Sequence, residues 1–370
     1  MRRTLALFAA LGLLVAACGG TAAVPVATAA PAAPSAAPAA PSAAPAATAA
    51  APETLDGRFA KLYEAAKAEG TVAIYSSLNT GDATKLWPLF EKRFPGVKVD
   101  HTRSTGEQVV QKIITEKKAG QDLFDMIETN NFEVKFIIDQ GYTQPYKVFS
   151  WNDFAPGARD DAKNQWIADR QNKDVIAFNT TKVQPGEIKT YRDLCNKKYE
   201  GHIAVEQGDA VVYTMLKLHF GEAEAQSILK CIAANKPSLR SGHTDTSALL
   251  AAGEFWIELN AYASTIAGLK NDKKAPVAFV KTDPTFIDIQ LVALSNKPKH
   301  PNAGKLLMEW LTSPEGQTAI ASVGREAASS AAKPKYPELL DWAKGFYNHP
   351  DNSKYQNADT EFWRTTFGIK

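Results

Sequence analysis

Residues 71–120 read TVAIYSSLNTGDATKLWPLFEKRFPGVKVDHTRSTGEQVVQKIITEKKAG, and the fold turns on how this stretch is read. Val72, Ala73, Ile74 and Tyr75 form a short apolar run that stops abruptly at Ser76, Ser77, Leu78 and Asn79. A strand buried on both faces has this character: apolar along its length, polar where it emerges. A second run, Val97–Thr102, ends in Ser104, Thr105 and Gly106. The segment after it places Val109, Val110, Ile113 and Ile114 on one helical face. A third run, Phe124–Glu128, ends in Thr129, Asn130 and Asn131 ahead of another amphipathic stretch. Three strand–polar loop–helix units in succession predict a parallel α/β sheet. Ligands of such sheets bind beyond the carboxyl ends of the strands, and here each end carries hydroxyls and amides.

Upstream, Arg2 and Arg3 precede an apolar run from Leu5 to Ala17. This is the pattern of an export signal, too short to span a bilayer, which needs about 20 residues. It ends Leu14-Val15-Ala16-Ala17-Cys18-Gly19-Gly20, which resembles a bacterial lipobox with acylation of Cys18. Residues 1–17 are thus expected to be a signal. Residues 18–52 are an uncharged Ala/Pro-rich tether with seven prolines, too poor in patterned apolar residues to form a core.

The remaining 370 − 52 = 318 residues suffice for two lobes. Removing the two signal arginines from 42 basic residues leaves 40 against 40 acidic, a formal charge of zero. That balance, with no basic run interleaved with aromatics, argues against a nucleic-acid partner. Beyond Cys18 the cysteines are Cys195 and Cys231, an even pair that either forms a disulfide or stays as two buried thiols.

Glu53–Gly70 reads as a helix, and Asp174–Thr181 as a strand with Asn179 at its exit. From Tyr191 the pattern restarts: strand His202–Glu206, loop Gln207-Gly208-Asp209, helices to Asn235, then strand Phe255–Asn260 running into Ala261-Tyr262-Ala263. Apolar runs at Val277–Val280 and Phe286–Ser295 follow, then further helices to the end. The expected organisation is lobe one over 53–175, lobe two over 176–281, and a return to lobe one with C-terminal helices over 282–370. Two hinge crossings fall near Asn179 and Thr282.

The segments IYSSLNTGDATKL, STGEQVVQKIITEKKAG, VIAFNTTKV, YRDLCNKKYEGHIAVEQ, LLAAGEFWIELNAYA and PNAGKLLMEWLTSPEGQ occur in a telling order. The chain resembles the bacterial extracellular solute-binding proteins of ABC importers, most closely the ferric-ion-binding branch of the two-lobed type II periplasmic binding proteins. The resemblance spans roughly residues 70–325. It implies a two-lobed α/β fold closing on a small ligand, delivery to a membrane permease and its ATPase, no catalysis and no cofactor. The expected product is a monomeric receptor outside the cytoplasm, held to a membrane by its lipid.

Catalytic signatures are missing from the sequence: no GxSxG, HExxH, CxxC, Walker A or GxGxxG motif occurs. The six histidines show no i, i+3 or i, i+4 pairing, and only His101, at a strand end, draws attention. The rival to a receptor is a secreted enzyme using Tyr262, Asp209 or Glu107. Candidate ligand-binding groups on the first lobe are Ser76, Ser77, Asn79, Thr105, Gly106, Asn130 and Asn131, at helix starts where the dipole favours an anion. From the second lobe come Asn179, Gly208, Asp209, Tyr213 and Tyr262. The ferric-binding relatives carry adjacent tyrosines near Tyr262 and often a histidine in the first loop. Here Tyr262 stands alone in Asn260-Ala261-Tyr262-Ala263, and SSLNTG has no histidine. A trivalent ion needs several anionic oxygens, and Tyr262 with Glu107 is a sparse set. The sequence therefore favours a small polar or anionic organic solute, with Arg170 and Arg240 as counter-charges and ferric iron as the alternative.

Overall fold

The computed structural model describes residues 53–340 and 345–369. The expected export signal, lipidation site Cys18 and tether lie outside the described residues. Helix α1 (Leu55–Glu69) is capped by the Thr54 hydroxyl and closed by Gly70 in the left-handed region at φ 74°. Three repeated units follow: β1 (Thr71–Ser76) with α2 (Thr80–Arg93), β2 (Lys98–Arg103) with α3 (Gly106–Lys118), and β3 (Met126–Asn130) with α4 (Asn131–Asp139). After the short β4 (Thr143–Gln144) and two 3-10 turns comes the long β5 (Ile167–Asn179). The next elements are β6 (Ile203–Glu206), α5 (Val211–Phe220), α6 (Glu222–Ala233), β7 (Ser238–Arg240), α7 (His243–Ala252), β8 (Ile257–Tyr262), α8 (Ala263–Lys273) and β9 (Val277–Phe279). The chain then forms β10 (Thr285–Ser295), α9 (Pro301–Thr312), α10 (Pro314–Ser322), β11 (Glu326–Ala327), β12 (Gly345–Tyr347) and α11 (Gln356–Phe367).

The strands lie in the order β2-β1-β3-β10-β5-β8-β6-β7. β1 is parallel to β2 and β3, and β6 is parallel to β7 and β8, whereas β10 and β5 run antiparallel to their neighbours at the centre. β5 pairs with β10 over Ile167–Asp174 and with β8 and β9 from Asp174 onward, so its neighbours change at Asp174.

One apolar core gathers Ile74, Phe90, Ile113, Ile127, Leu291 and Trp310 beneath the first half of the sheet. A second collects Ile203, Leu229, Ile257 and Phe286, and a third lies around Leu250, Ile266 and Val277. Each large side chain so buried contributes roughly 1.5–3 kcal/mol. The fold is α/β and two-lobed.

The C-terminal part departs from a plain return to the first lobe. Tyr336 and Leu339 join the third core, while Trp363 is buried in the second with Phe346 packed against it. The apolar spacing of α11 made it a helix but could not say which core it would cover. Cys195 and Cys231 form a disulfide, Cα atoms 5.2 Å apart, tying the turn before β6 to α6. Among the described residues no helix is long and apolar enough to cross a membrane.

Candidate functional site

Strand alternation decides which side chains meet. On β5 the even-numbered residues Arg170, Asn172 and Asp174 share one face. The ladder sets Arg170 opposite Gln290, Asn172 opposite Asp288, and Asp174 opposite both Phe286 on β10 and Tyr262 on β8. A polar belt therefore crosses the middle of the sheet on the side where loops from both halves arrive.

At the first-lobe end of the belt most of the expected groups already have partners, though Thr129 Oγ1 and Asp169 Oδ1 do not. The Ser76 hydroxyl donates to the Glu128 carboxylate and accepts from the Leu78 N–H at 2.8 Å. Ser77 donates its main-chain N–H to the carbonyl of Glu128 at 3.0 Å. Arg170 pairs with Glu128 and, at 3.1 Å, with Asp169, all three side chains being buried. Asn79 caps α2 by accepting from the Asp82 N–H at 2.9 Å, and Thr105 caps α3 in a reciprocal arrangement with Gln108. Gly106 is required by close approach, since a Cβ there would sit 2.9 Å from Glu133 Oε1 and 3.0 Å from Thr129 Oγ1. Asn130 precedes α4, and its side chain bonds the Glu133 carboxyl. Asn131 donates 2.7 Å to the carbonyl of Asn348 and 3.4 Å to Asp288 Oδ1.

Several of the expected contacts do not form. Arg170 offers no free counter-charge, because two carboxylates already neutralise it. Arg240 pairs with Glu254 at 2.8 Å and lies over the Phe255 ring. Tyr213 belongs to the second core, its ring stacked on Phe362 at 4.3 Å, as its helical spacing equally permits. Asn179 donates to the Leu250 carbonyl at 3.0 Å and accepts from Thr181, holding the turn after β5. Glu107 is exposed at the first turn of α3. His101 is partly buried edge-on to Trp87, and burial lowers its pKa. Tyr262 is the last residue of β8 rather than the residue after it.

What lines the belt is acidic. Asp174 is 1% exposed, and neither carboxylate oxygen has a hydrogen-bond partner. Burial first, then Asp209, Asp288 and Glu326, raise its pKa well above the ordinary carboxylate range. Asp288 takes a hydrogen bond from Asn348 at 3.0 Å, yet burial with Asp209 and Glu133 pushes it up to about 7. Burial and Glu206 push Asp209 up to about 7 as well. The half-buried Tyr262 phenol is raised well above its usual value by burial and by Asp209, Asp174, Asp288 and Glu206. The Tyr191 hydroxyl is buried without a partner and feels Asp174 and Asp209. Gly208 donates its N–H to Glu206 Oε2 at 2.9 Å, shaping the loop that presents Asp209. His243, at the start of α7, stacks on Tyr262 with ring centroids 3.9 Å apart.

Sequence reasoning missed Asp174, Asp288, Glu133 and His243. The signal was present in DRQNKD, an unbroken polar run inside a buried strand, and in FIDIQ, where polar residues recur at every second position of another. Among the described residues no three His, Cys, Asp or Glu side chains converge as ready-made metal ligands. The acidic groups are spread along the belt instead.

A family model described as bacterial extracellular solute-binding protein matches residues 89–344. Among solved structures, a Campylobacter jejuni ferric binding protein is similar at 18% identity and TM-score 0.70, covering 80% of this chain and 99% of that one. A Trichodesmium protein in complex with iron and citrate ligands is similar at 20% identity and TM-score 0.69, covering 81% of this chain and 100% of its own. The periplasmic binding protein AfuA from Actinobacillus pleuropneumoniae, with fructose-6-phosphate bound, is similar at 19% identity and TM-score 0.67, covering 82% and 100%. The chain belongs to the bacterial extracellular solute-binding protein family; it is a transport receptor of an ABC importer and not an enzyme.

Proposed function

We propose that this extracellular solute-binding protein captures a small organic cation, one bearing ammonium or guanidinium groups, between its two lobes. The observation that carries the reading is Asp174, a buried carboxylate with both oxygens unpartnered. An uncompensated buried carboxylate is costly, and a ligand that brings N–H donors and positive charge removes the cost. The charged groups that raise Asp174, Asp209, Asp288 and Tyr262 are themselves acidic, whereas the arginines an anion would need are already paired. Tyr262 adds an aromatic face suited to a cation.

The lobes comprise residues 53–175 with the return segment, and 176–281, and they rotate about β5 and β10. The ligand favours closure because Glu133 reaches the belt from the first lobe, and Asp209 and Tyr262 from the second. The receptor works as a monomer tethered through acylated Cys18, and passes its cargo to the permease and ATPase of the importer. Cys18→Ser is expected to release soluble, binding-competent protein; retention of that variant in the membrane fraction would refute the anchor.

The ligand class is tested by melting temperature and titration calorimetry against agmatine, 1,4-diaminobutane, ferric citrate, citrate and fructose 6-phosphate. A diamine or agmatine is expected to stabilise the protein, by about 2.7 kcal/mol at a hundredfold excess over Kd. Stabilisation by citrate or the sugar phosphate alone would overturn the cation reading. Stabilisation confined to ferric citrate would replace it with a metal-chelate receptor.

A further inference from the structure

His243 touches three parts of the acidic belt at once. Its ring lies on Tyr262 at an interplanar angle of 24°. Nδ1 is 2.9 Å from the main-chain carbonyl of Asn260, and Nε2 is 3.5 Å from Asp209 Oδ2. A carbonyl only accepts, so Nδ1 must carry a proton. Were that the only proton, the Nε2 lone pair would face a carboxylate oxygen, two acceptors held against each other.

The surrounding atoms offer no escape. Asp209 Oδ1 already accepts from the Val211 N–H at 3.2 Å. Both Glu206 oxygens accept main-chain N–H groups, from Gly208 at 2.9 Å and Gly242 at 3.0 Å. The titratable groups that act on the pair are Glu206 on β6, Tyr262 on β8, Asp174 on β5, Asp288 on β10 and Tyr191 in the turn before β6. All are acidic, so one further proton turns a repulsive contact into a hydrogen bond and lowers the negative charge of the belt.

We infer that His243 and Asp209 share one proton in the empty receptor, and that an arriving cation expels it to solvent, so that capture exchanges a proton for a ligand charge. This rests on the cation reading of the cleft. His243 acts here as a positioning residue: it fixes the Tyr262 ring and holds the exchangeable proton against Asp209. The exchange falls in the neutral range, because burial and Glu206 push Asp209 up to about 7 while burial draws His243 down. A receptor of this kind binds more weakly as its surroundings acidify, since protons compete for the same negative charge.

The test is calorimetric titration of agmatine into the whole receptor at about pH 7, in phosphate and in Tris, whose ionisation heats differ. The wild type is expected to show a buffer-dependent heat corresponding to proton release, and an affinity that drops up to about tenfold per pH unit below neutrality. Asp209→Asn is expected to release one proton fewer and to flatten the pH slope. His243→Gln, which retains a donor for the Asn260 carbonyl, is expected to behave likewise. A purely structural role for His243 would weaken binding without changing the proton count. Binding with equal heats in both buffers, or with the wild-type proton count unchanged in both variants, overturns the exchange and leaves the cation reading intact. Failure of agmatine and 1,4-diaminobutane to bind sinks both. Should Asp209→Asn not fold, the wild-type buffer comparison and His243→Gln decide the matter.

Discussion

Replacing Asp174 by Asn changes two atoms' worth of chemistry and separates stability from binding. In the empty receptor the carboxylate is buried, unpartnered and surrounded by Asp209, Asp288 and Glu326. Its folded pKa therefore lies above that of the unfolded chain, near 3.9. The sign follows from linkage: a carboxyl raised on folding costs nothing below the unfolded value, and the cost grows as pH climbs toward the folded one. For scale, holding neighbouring Asp288 at about 7 corresponds to roughly 4 kcal/mol at higher pH, as an upper figure. Asp174→Asn removes the charge and supplies two N–H donors, so a gain of about 1–4 kcal/mol is expected near pH 8, vanishing near pH 4. At roughly 2–4 °C per kcal/mol, thermal melts followed by circular dichroism across that range would resolve it. The same substitution should weaken a bound diamine by about 2 kcal/mol or more, through loss of a charge-assisted hydrogen bond. A variant less stable than wild type at every pH would show that the carboxylate has a partner in the folded protein, and the argument for a cationic ligand would lose its foundation.

Other substitutions probe neighbouring parts. Arg170→Met should destabilise by about 3–5 kcal/mol in urea unfolding, because Glu128 and Asp169 lose their buried counter-charge; a neutral outcome would free Arg170 for a ligand role after all. Tyr262→Phe should leave the melting temperature near wild type and reduce cation affinity by about 1 kcal/mol, whereas Tyr262→Ala should cost about 1–3 kcal/mol of binding and blunt ligand-induced compaction in small-angle scattering. Equal affinities for both variants and the wild type would move the site elsewhere. Cys195→Ala with Cys231→Ala opens a loop of 36 residues' separation and should lower stability by about 3–4 kcal/mol, with no further loss on adding reductant; a decrease in the double variant that reductant deepens would point to a different linkage.

The first three βα units were legible because buried parallel strands and amphipathic helices leave separate periodicities in the sequence. The belt was harder to see. Asp174 and Asp288 sit within strands whose flanks are apolar, and only the β5–β10 register brings them together. Helix-start residues drew attention because they carry hydroxyls and amides, yet Asn79 and Thr105 spend those groups on caps. Arginines suggested an anion because a sequence records charge and not pairing; Glu128 lies 42 positions from Arg170 and cancels it only in three dimensions. Tyr213 fits a core and a cleft equally by spacing, and Phe362, which stacks on it, arrives from the far end of the chain.

The way the last segment returns to the second core bears on when the chain can fold. Phe286 and Trp363 are both buried in a core whose earlier members come from Ile176 to Leu259, and Trp310 closes the first core around Phe90. Neither half has its full complement of apolar side chains until the C-terminal third has been made. Contacts so distant in sequence form slowly, since loops must close before they yield any stabilisation. For a protein of an extracellular family, a core that is incomplete until this late segment is made is compatible with crossing a membrane before folding is finished. The same Trp363 that seals the second core thus also sets the moment at which folding can be completed.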